Sequence, residues 1–183
     1  MLYAQIMTSF LSDMNKPKLF TIGSFEAVLD CGYMHNRWLN IALGYLPEDF
    51  KNIKEEVVFI STATRDGCRI ARHYCEKREI ILISERVLPG GNVMCEDEPK
   101  ARYFIYVVLH ELAHAIKKHK SPLFDNLSDK EFECQEKEAD DLAFEWFNNH
   151  VSKLGNLPLI TKEEIKTAQE EQQEIMEKLR NGI

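Results

Sequence analysis

Residues 107–116 read VVLHELAHAI and contain two histidines four positions apart, with a glutamate directly after the first. On an α helix, positions i and i+4 share one face, so the imidazoles of His110 and His114 can reach a single ion. Two neutral histidine nitrogens suit Zn²⁺. Glu111 lies about 100° round the helix, where it can act as a general base beside the ion without ligating it.

The segment around this motif is typical of a buried helix. Pro99 suits a first helical turn, and residues 101–119 contain neither glycine nor proline. Because the helix is apolar on nearly all sides, we expect it to be buried. Two histidines and a glutamate are unfavourable there unless they have partners, and a metal ion supplies one.

A catalytic zinc site needs a third protein ligand and leaves one position open. Metzincins take that ligand from the same stretch, but the positions of their glycine and third histidine hold Lys117 and Lys120 here, which excludes that class. His119 is one residue short of that spacing, and we expect it to cap the end of the helix.

A second helix, predicted for residues 129–148, offers carboxylates as the third ligand. Glu136 and Asp140 are four residues apart, so Glu136 can ligate the ion while Asp140 accepts a hydrogen bond from a ligand imidazole. Glu133 and Glu138 are rivals for the ligand role, although Glu138 should point toward solvent. Apolar residues recur at helical spacing near the Glu136 face and predict that it points inward: Phe132, Ala139, Ala143 and Phe147.

The pattern His110-Glu-x-x-His114 followed by Glu136-x-x-x-Asp140 resembles the gluzincin group of zinc metallopeptidases. The string EKEADDLA at 136–143 resembles the glutamate helix of ImmA/IrrE-like and small phage-type metallopeptidases. This resemblance, which covers residues 79–147, implies a compact cytoplasmic hydrolase that cleaves a protein or peptide substrate. It implies Zn²⁺ as the cofactor, with His110, His114 and Glu136 as its ligands and Glu111 as the catalytic base.

The sequence between residues 57 and 87 predicts a small sheet. Residues 57–60 are apolar and β-branched, 65–67 are a hairpin signal, and 68–75 form a plausible return strand. Residues 79–87 predict a third strand of an antiparallel meander. The predicted class is α+β, with this sheet packed against a zinc-binding helix and a glutamate helix in a minimal gluzincin-like arrangement. By the resemblance, the strand at 79–87 is the edge to which a substrate segment would add.

The chain divides into a single domain, residues 1–155, and a C-terminal amphipathic helix or tail, residues 156–183. The tail helix begins at Thr161, where Glu164 completes a capping box. Its incomplete heptads favour either docking on the body or association with a partner protein or a second copy. Near the N-terminus, short helices are predicted for residues 24–29 and 33–43.

Composition excludes several classes of function. The 183 residues carry a formal net charge of −7, which argues against a nucleic-acid binder that works through bulk charge. No apolar run approaches the roughly 18 residues of a membrane span, and no signal peptide is evident. The five cysteines form no Cys-x-x-Cys pair, which favours reduced thiols in the cytoplasm.

Two alternatives to a peptidase remain open from the sequence. One is a zinc-dependent regulatory or sensing module whose turnover is suppressed or absent. The other is a structural zinc site, closed by His119 or Cys134 as a fourth ligand. An oxyanion donor is required only by the enzyme, and the candidates are Tyr103, Tyr106 and His73.

Overall fold

The computed structural model describes residues 19–22, 25–28, 33–55, 57–62, 67–70, 79–84, 87, 99–121, 125–154 and 157–180. They contain four α helices: α1 (Tyr33–Gly44), α2 (Pro99–Lys117), α3 (Asp129–Leu154) and α4 (Lys162–Arg180). A 3₁₀ helix spans Glu48–Glu55. The strands are β1 (Leu19–Ile22), β2 (Phe25–Val28), β3 (Val57–Thr62), β4 (Gly67–Ile70) and β5 (Glu79–Ser84).

The five strands form one mixed sheet in the order β1-β2-β3-β5-β4. β3 runs parallel to both β2 and β5, whereas β1 and β4 pair antiparallel with β2 and β5 at the two ends. The predicted antiparallel meander is right in pairing β4 with β5 but wrong for β3, which pairs in parallel with β5 and not with β4. All six residues of β3 pair with β5, and the segment between them is long enough for the crossover that parallel strands require.

The helix predicted for residues 24–29 is also wrong, since Phe25–Val28 is strand β2. A segment this short forms hardly more than one helical turn, and helix nucleation is unfavourable. Pairing with β1 on one side and β3 on the other supplies its backbone with partners along both edges.

Helix α2 lies at the centre of the packing. Every residue from 101 to 115 except His110 is buried, as the apolar pattern predicts. α2 contacts α1, α3 and α4 and strands β4 and β5, so most of its circumference is covered by other elements. Within the described part of the chain, no helix is both long and apolar enough to cross a membrane.

Helix α3 packs against α2 and presents the small face that the sequence predicts. Ala139, Ala143 and Phe147 are fully buried, and Trp146 lies beside them in the core. Phe132 differs from the prediction, because its side chain is 40% exposed. It belongs to the first turn of α3, next to Glu131, which pairs with Lys120 just beyond the end of α2.

Helix α4 docks on the body through its first turns. Ile165 is buried in the same core as Leu157 and Ile160, and the Arg102 side chain on α2 forms an ion pair with Glu164. The predicted capping box is present, with Glu164 N–H donating to Thr161 Oγ1 at 3.1 Å. Further along the helix Ile175 is exposed, so docking involves the N-terminal part of α4.

Candidate metal centre

His110, His114 and Glu136 meet where α2 and α3 pack side by side in an antiparallel arrangement. Tyr106 and His110 on α2 face Asp140 on α3, while Lys120, just beyond the end of α2, faces Glu131 near the start of α3. The helical spacing of His110 and His114 aligns both rings along the seam. Because Ala139 and Ala143 are small and buried, the two backbones can approach closely.

Three side chains with potential ligand atoms converge at this seam. Nε2 of His110 and Nε2 of His114 are 3.0 Å apart. Oε2 of Glu136 lies 3.4 Å from Nε2 of His110, and its Oε1 lies 3.5 Å from Nε2 of His114. His110, His114 and Glu136 are the group in the described chain whose ligand atoms are close enough together to hold a metal ion.

These separations fit a single small cation. Ligand atoms that lie 2.0–2.1 Å from a tetrahedral ion are about 3.3 Å apart, and the observed values run from 3.0 to 3.5 Å. Two imidazoles and one carboxylate are also a donor set typical of transition-metal sites. The residues present therefore fit a metal ion.

Asp140 and Tyr106 surround the outer face of His110. Nδ1 of His110 lies 2.9 Å from Oδ1 of Asp140, and the Tyr106 hydroxyl donates to the same oxygen at 2.5 Å. Burial alone would raise the pKa of Asp140, but hydrogen bonds from His110 and Tyr106 outweigh burial and lower it. Asp140 is thus held as a carboxylate that orients the His110 ring.

The pKa of His110 reflects the same contacts. Burial lowers it, but the carboxylates of Asp140 and Glu136 together outweigh burial and raise the pKa to about 10. The adjacent charge of Glu111 acts in the same direction. A proton held at His110 must leave when a metal binds, since only the neutral ring is a ligand.

The outer face of His114 contacts another histidine. Nδ1 of His114 and Nδ1 of His119 are 2.8 Å apart, and Nε2 of His119 lies 3.2 Å from Oε2 of Glu138. His119 does not cap the helix with its side chain, as the sequence suggested, but lies behind a ligand candidate. Glu138 is 47% exposed and reaches Lys117 as well as His119, so it does not simply point toward solvent.

The other described residues singled out from the sequence do not belong to the ligand group. Glu111 is buried beside His110 and outside the ligand group. Glu133 lines a neighbouring cleft, and Cys134 is an exposed thiol. The Tyr106 hydroxyl, one of the oxyanion candidates, is engaged by Asp140. His73 lies outside the described residues.

A cleft of about 520 Å³ lies between α3 and α4 and reaches the carboxylate side of the centre. Glu136 and Asp140 line it together with Tyr106, and Phe132 and Phe144 supply apolar walls. The exposed Phe132 ring therefore belongs to the rim of a cleft and not to the core.

Sequence reasoning missed two contacts, His119 with His114 and Tyr106 with Asp140. The first pair is five residues apart across the end of a helix, and this separation brings side chains together only if the chain turns back there. The second pair joins two helices and depends on their register. The spacing of Tyr106 and His110, one helical turn, was the signal available for it.

No family model matches the sequence, and no curated protein or solved structure matches the chain significantly.

Proposed function

We propose that this protein is a zinc metallopeptidase of the gluzincin type, similar to the ImmA/IrrE-like enzymes that its motifs resemble. The observation that carries the proposal is the convergence of His110, His114 and Glu136, with Glu111 buried next to the first ligand. Glutamate and two histidines are the ligand set of thermolysin-like catalytic zinc sites.

The ligand count favours an enzyme over a structural zinc site. A structural site is closed by four protein ligands, whereas a catalytic site has three and keeps one position for water or substrate. Of the two candidates for a fourth ligand, His119 turns toward the far nitrogen of His114 and Cys134 is exposed. Neither belongs to the group of ligand atoms in the described chain.

A bound zinc ion supplies Lewis acidity that polarises a peptide carbonyl and lowers the pKa of a nearby water. Glu111 then accepts the proton of the water whose oxygen attacks the carbonyl carbon. It passes that proton to the leaving nitrogen as the C–N bond breaks, so the carboxylate is restored at the end of the cycle. Asp140 keeps the His110 ring in place throughout.

The substrate on this proposal is a segment of a specific cytoplasmic protein in extended form. Strand β5 is not the edge that receives it, because β5 lies between β3 and β4. Among the described strands β4 is the end strand that contacts α2. A peptide paired with β4 would lie along the helix that carries the metal ligands.

The decisive experiment compares protein termini in cells that express the wild type or Glu111→Gln. Glutamine cannot accept the proton of the water, so the variant should keep about one zinc per chain while losing the new termini. Glu133→Gln, which removes one carboxylate from the cleft, is the matched control and should cleave like the wild type. Zinc binding with identical termini in all three would favour the regulatory or sensing module instead.

A further inference from the structure

The loop that ends helix α2 has an unusual backbone. Lys118 has a φ of 55°, in the left-handed region that disfavours residues with a Cβ. Its N–H bonds to Ala115 O at 3.2 Å, and the N–H of His119 bonds to His114 O at 3.1 Å. This is a Schellman ending, in which glycine is the usual left-handed residue.

The Schellman ending turns the chain back, so that His119 lies against His114, five residues earlier. The backbone of His119 is tied to the carbonyl of His114, and its side chain lies against the His114 ring, with the two Nδ1 atoms 2.8 Å apart. His119 is buried, so this contact is shielded from water.

Glu138 on α3 holds the far side of His119. Its Oε2 lies 3.2 Å from Nε2 of His119, and its Oε1 lies 2.6 Å from Nζ of Lys117. Beside the ammonium group of Lys117, Glu138 is a carboxylate. An ionised carboxylate can only accept hydrogen bonds, so the hydrogen at this contact belongs to Nε2 of His119.

The position of that hydrogen decides the tautomer of His114. A neutral imidazole with hydrogen on Nε2 has an acceptor at Nδ1, which makes Nδ1 of His114 the donor at the 2.8 Å contact. Nε2 of His114 is then left with its lone pair, and it is this atom that faces Nε2 of His110 and the Glu136 carboxylate.

We propose that His119 is a positioning residue for the metal centre: held by Glu138, it keeps His114 in the tautomer and orientation in which Nε2 can bind a divalent metal ion. The proposal rests on the metal site of the proposed function and extends it to residues outside the ligand set. The two ligand histidines are held differently, His110 directly by the Asp140 carboxylate and His114 through a second imidazole.

The test replaces His119 by phenylalanine, which keeps a ring, and by asparagine, whose amide oxygen can accept near the position of Nδ1. Zn²⁺ affinity is measured by competition with a chelating dye, and the Co²⁺-loaded protein is compared by its visible spectrum. His119→Phe should weaken Zn²⁺ binding about 10–100-fold and change the Co²⁺ bands, while His119→Asn should recover most of the affinity. His150→Phe is the matched control, since His150 bonds to Trp146 O on α3 and should leave both readouts unchanged.

Nitrogen-15 NMR of the metal-free protein tests the contact separately from metal binding. The wild type should show hydrogen on Nδ1 of His114, and His119→Phe should show a mixture of tautomers. A folded His119→Phe protein with wild-type Zn²⁺ affinity and the wild-type tautomer would overturn the proposal. Equal losses in the phenylalanine and asparagine variants would do the same.

Failure of the role of His119 and failure of the proposed function give different results. If the wild type binds neither Zn²⁺ nor Co²⁺, the metallopeptidase fails, while the tautomer of His114 still supports or overturns the role of His119. If His119→Phe does not fold, Glu138→Ala at a half-exposed position reports on the same chain of contacts. An unchanged His114 tautomer in that variant, together with unchanged metal affinity, would contradict the proposal.

Discussion

The hydroxyl of Tyr106 donates a 2.5 Å hydrogen bond to Oδ1 of Asp140, the same oxygen that lies 2.9 Å from Nδ1 of His110. Tyr106 therefore stabilises the carboxylate that lies against His110, one of the candidate ligands. Tyr106 is buried and Asp140 is half exposed, and a hydrogen bond to a charged group is stronger than one between neutral groups.

Tyr106→Phe should weaken zinc binding moderately and leave the fold intact. A hydrogen bond to a charged group contributes about 1.5–3 kcal/mol, and only part of this is transmitted to the metal, so we expect a loss of about tenfold or less. Tyr103→Phe is the matched control, one turn earlier on the same helix. Equal zinc affinities of Tyr106→Phe and Tyr103→Phe, measured by dye competition, would contradict the role of Tyr106.

Substitutions of the acidic residues of α3 should weaken metal binding to different degrees, in a defined order. Glu136→Gln removes a ligand oxygen and should cause the largest loss, while Asp140→Asn, which acts through His110, should weaken binding about 10–100-fold. Glu133 lies one turn before Glu136 and outside the ligand group, so Glu133→Gln should leave metal binding close to that of the wild type. The assignment of Glu136 is wrong if Glu133→Gln loses the metal and Glu136→Gln retains it.

Zinc should raise the thermal stability of the wild type because the ligands proposed for it come from two helices. At a free zinc concentration 100 times Kd, binding adds about 2.7 kcal/mol, which corresponds to about 5–10 °C in Tm for a domain of this size. His110→Ala and His114→Ala should lose the shift, whereas His150→Ala should keep it. Differential scanning calorimetry with and without a chelator makes the comparison.

The ion pair between Arg102 and Glu164 should stabilise the docking of α4 in a pH-dependent way. Burial would raise the pKa of Glu164, but hydrogen bonds from Arg102 and the Thr161 cap outweigh burial and lower it. A carboxyl whose pKa is depressed by folding stabilises the protein above its unfolded pKa of about 4.3 and loses that contribution as the pH falls through the folded value.

Glu164→Gln should therefore lower the free energy of unfolding at pH 7 by about 0.5–1 kcal/mol, and the difference from the wild type should shrink below about pH 4.3. Glu163→Gln removes a charge from the same helical turn and controls for the helix dipole. Urea denaturation across the pH range gives both values, and a difference that persists in acid would argue against the ion pair.

The sequence by itself determined the elements that carry the centre. The apolar pattern around His110 predicts a buried helix, and the chain buries α2 on nearly all sides. The capping box at Thr161 marks the start of α4 where the structure has it. These features are local, since helical periodicity and caps depend on residues three or four positions apart.

The tertiary structure decided which elements meet. Strand pairing joins residues far apart in sequence, so the parallel alignment of β3 with β5 and the strand at Phe25–Val28 could not be obtained from local patterns. The packing of α2 against α3 placed Asp140 beside Tyr106, and the left-handed turn at Lys118 placed His119 in contact with His114. The strand pairing and the register of α2 against α3 depend on the packing of whole elements, which no short segment of the chain encodes alone. The turn at Lys118 is local, but a lysine does not mark a left-handed position in the sequence as a glycine would.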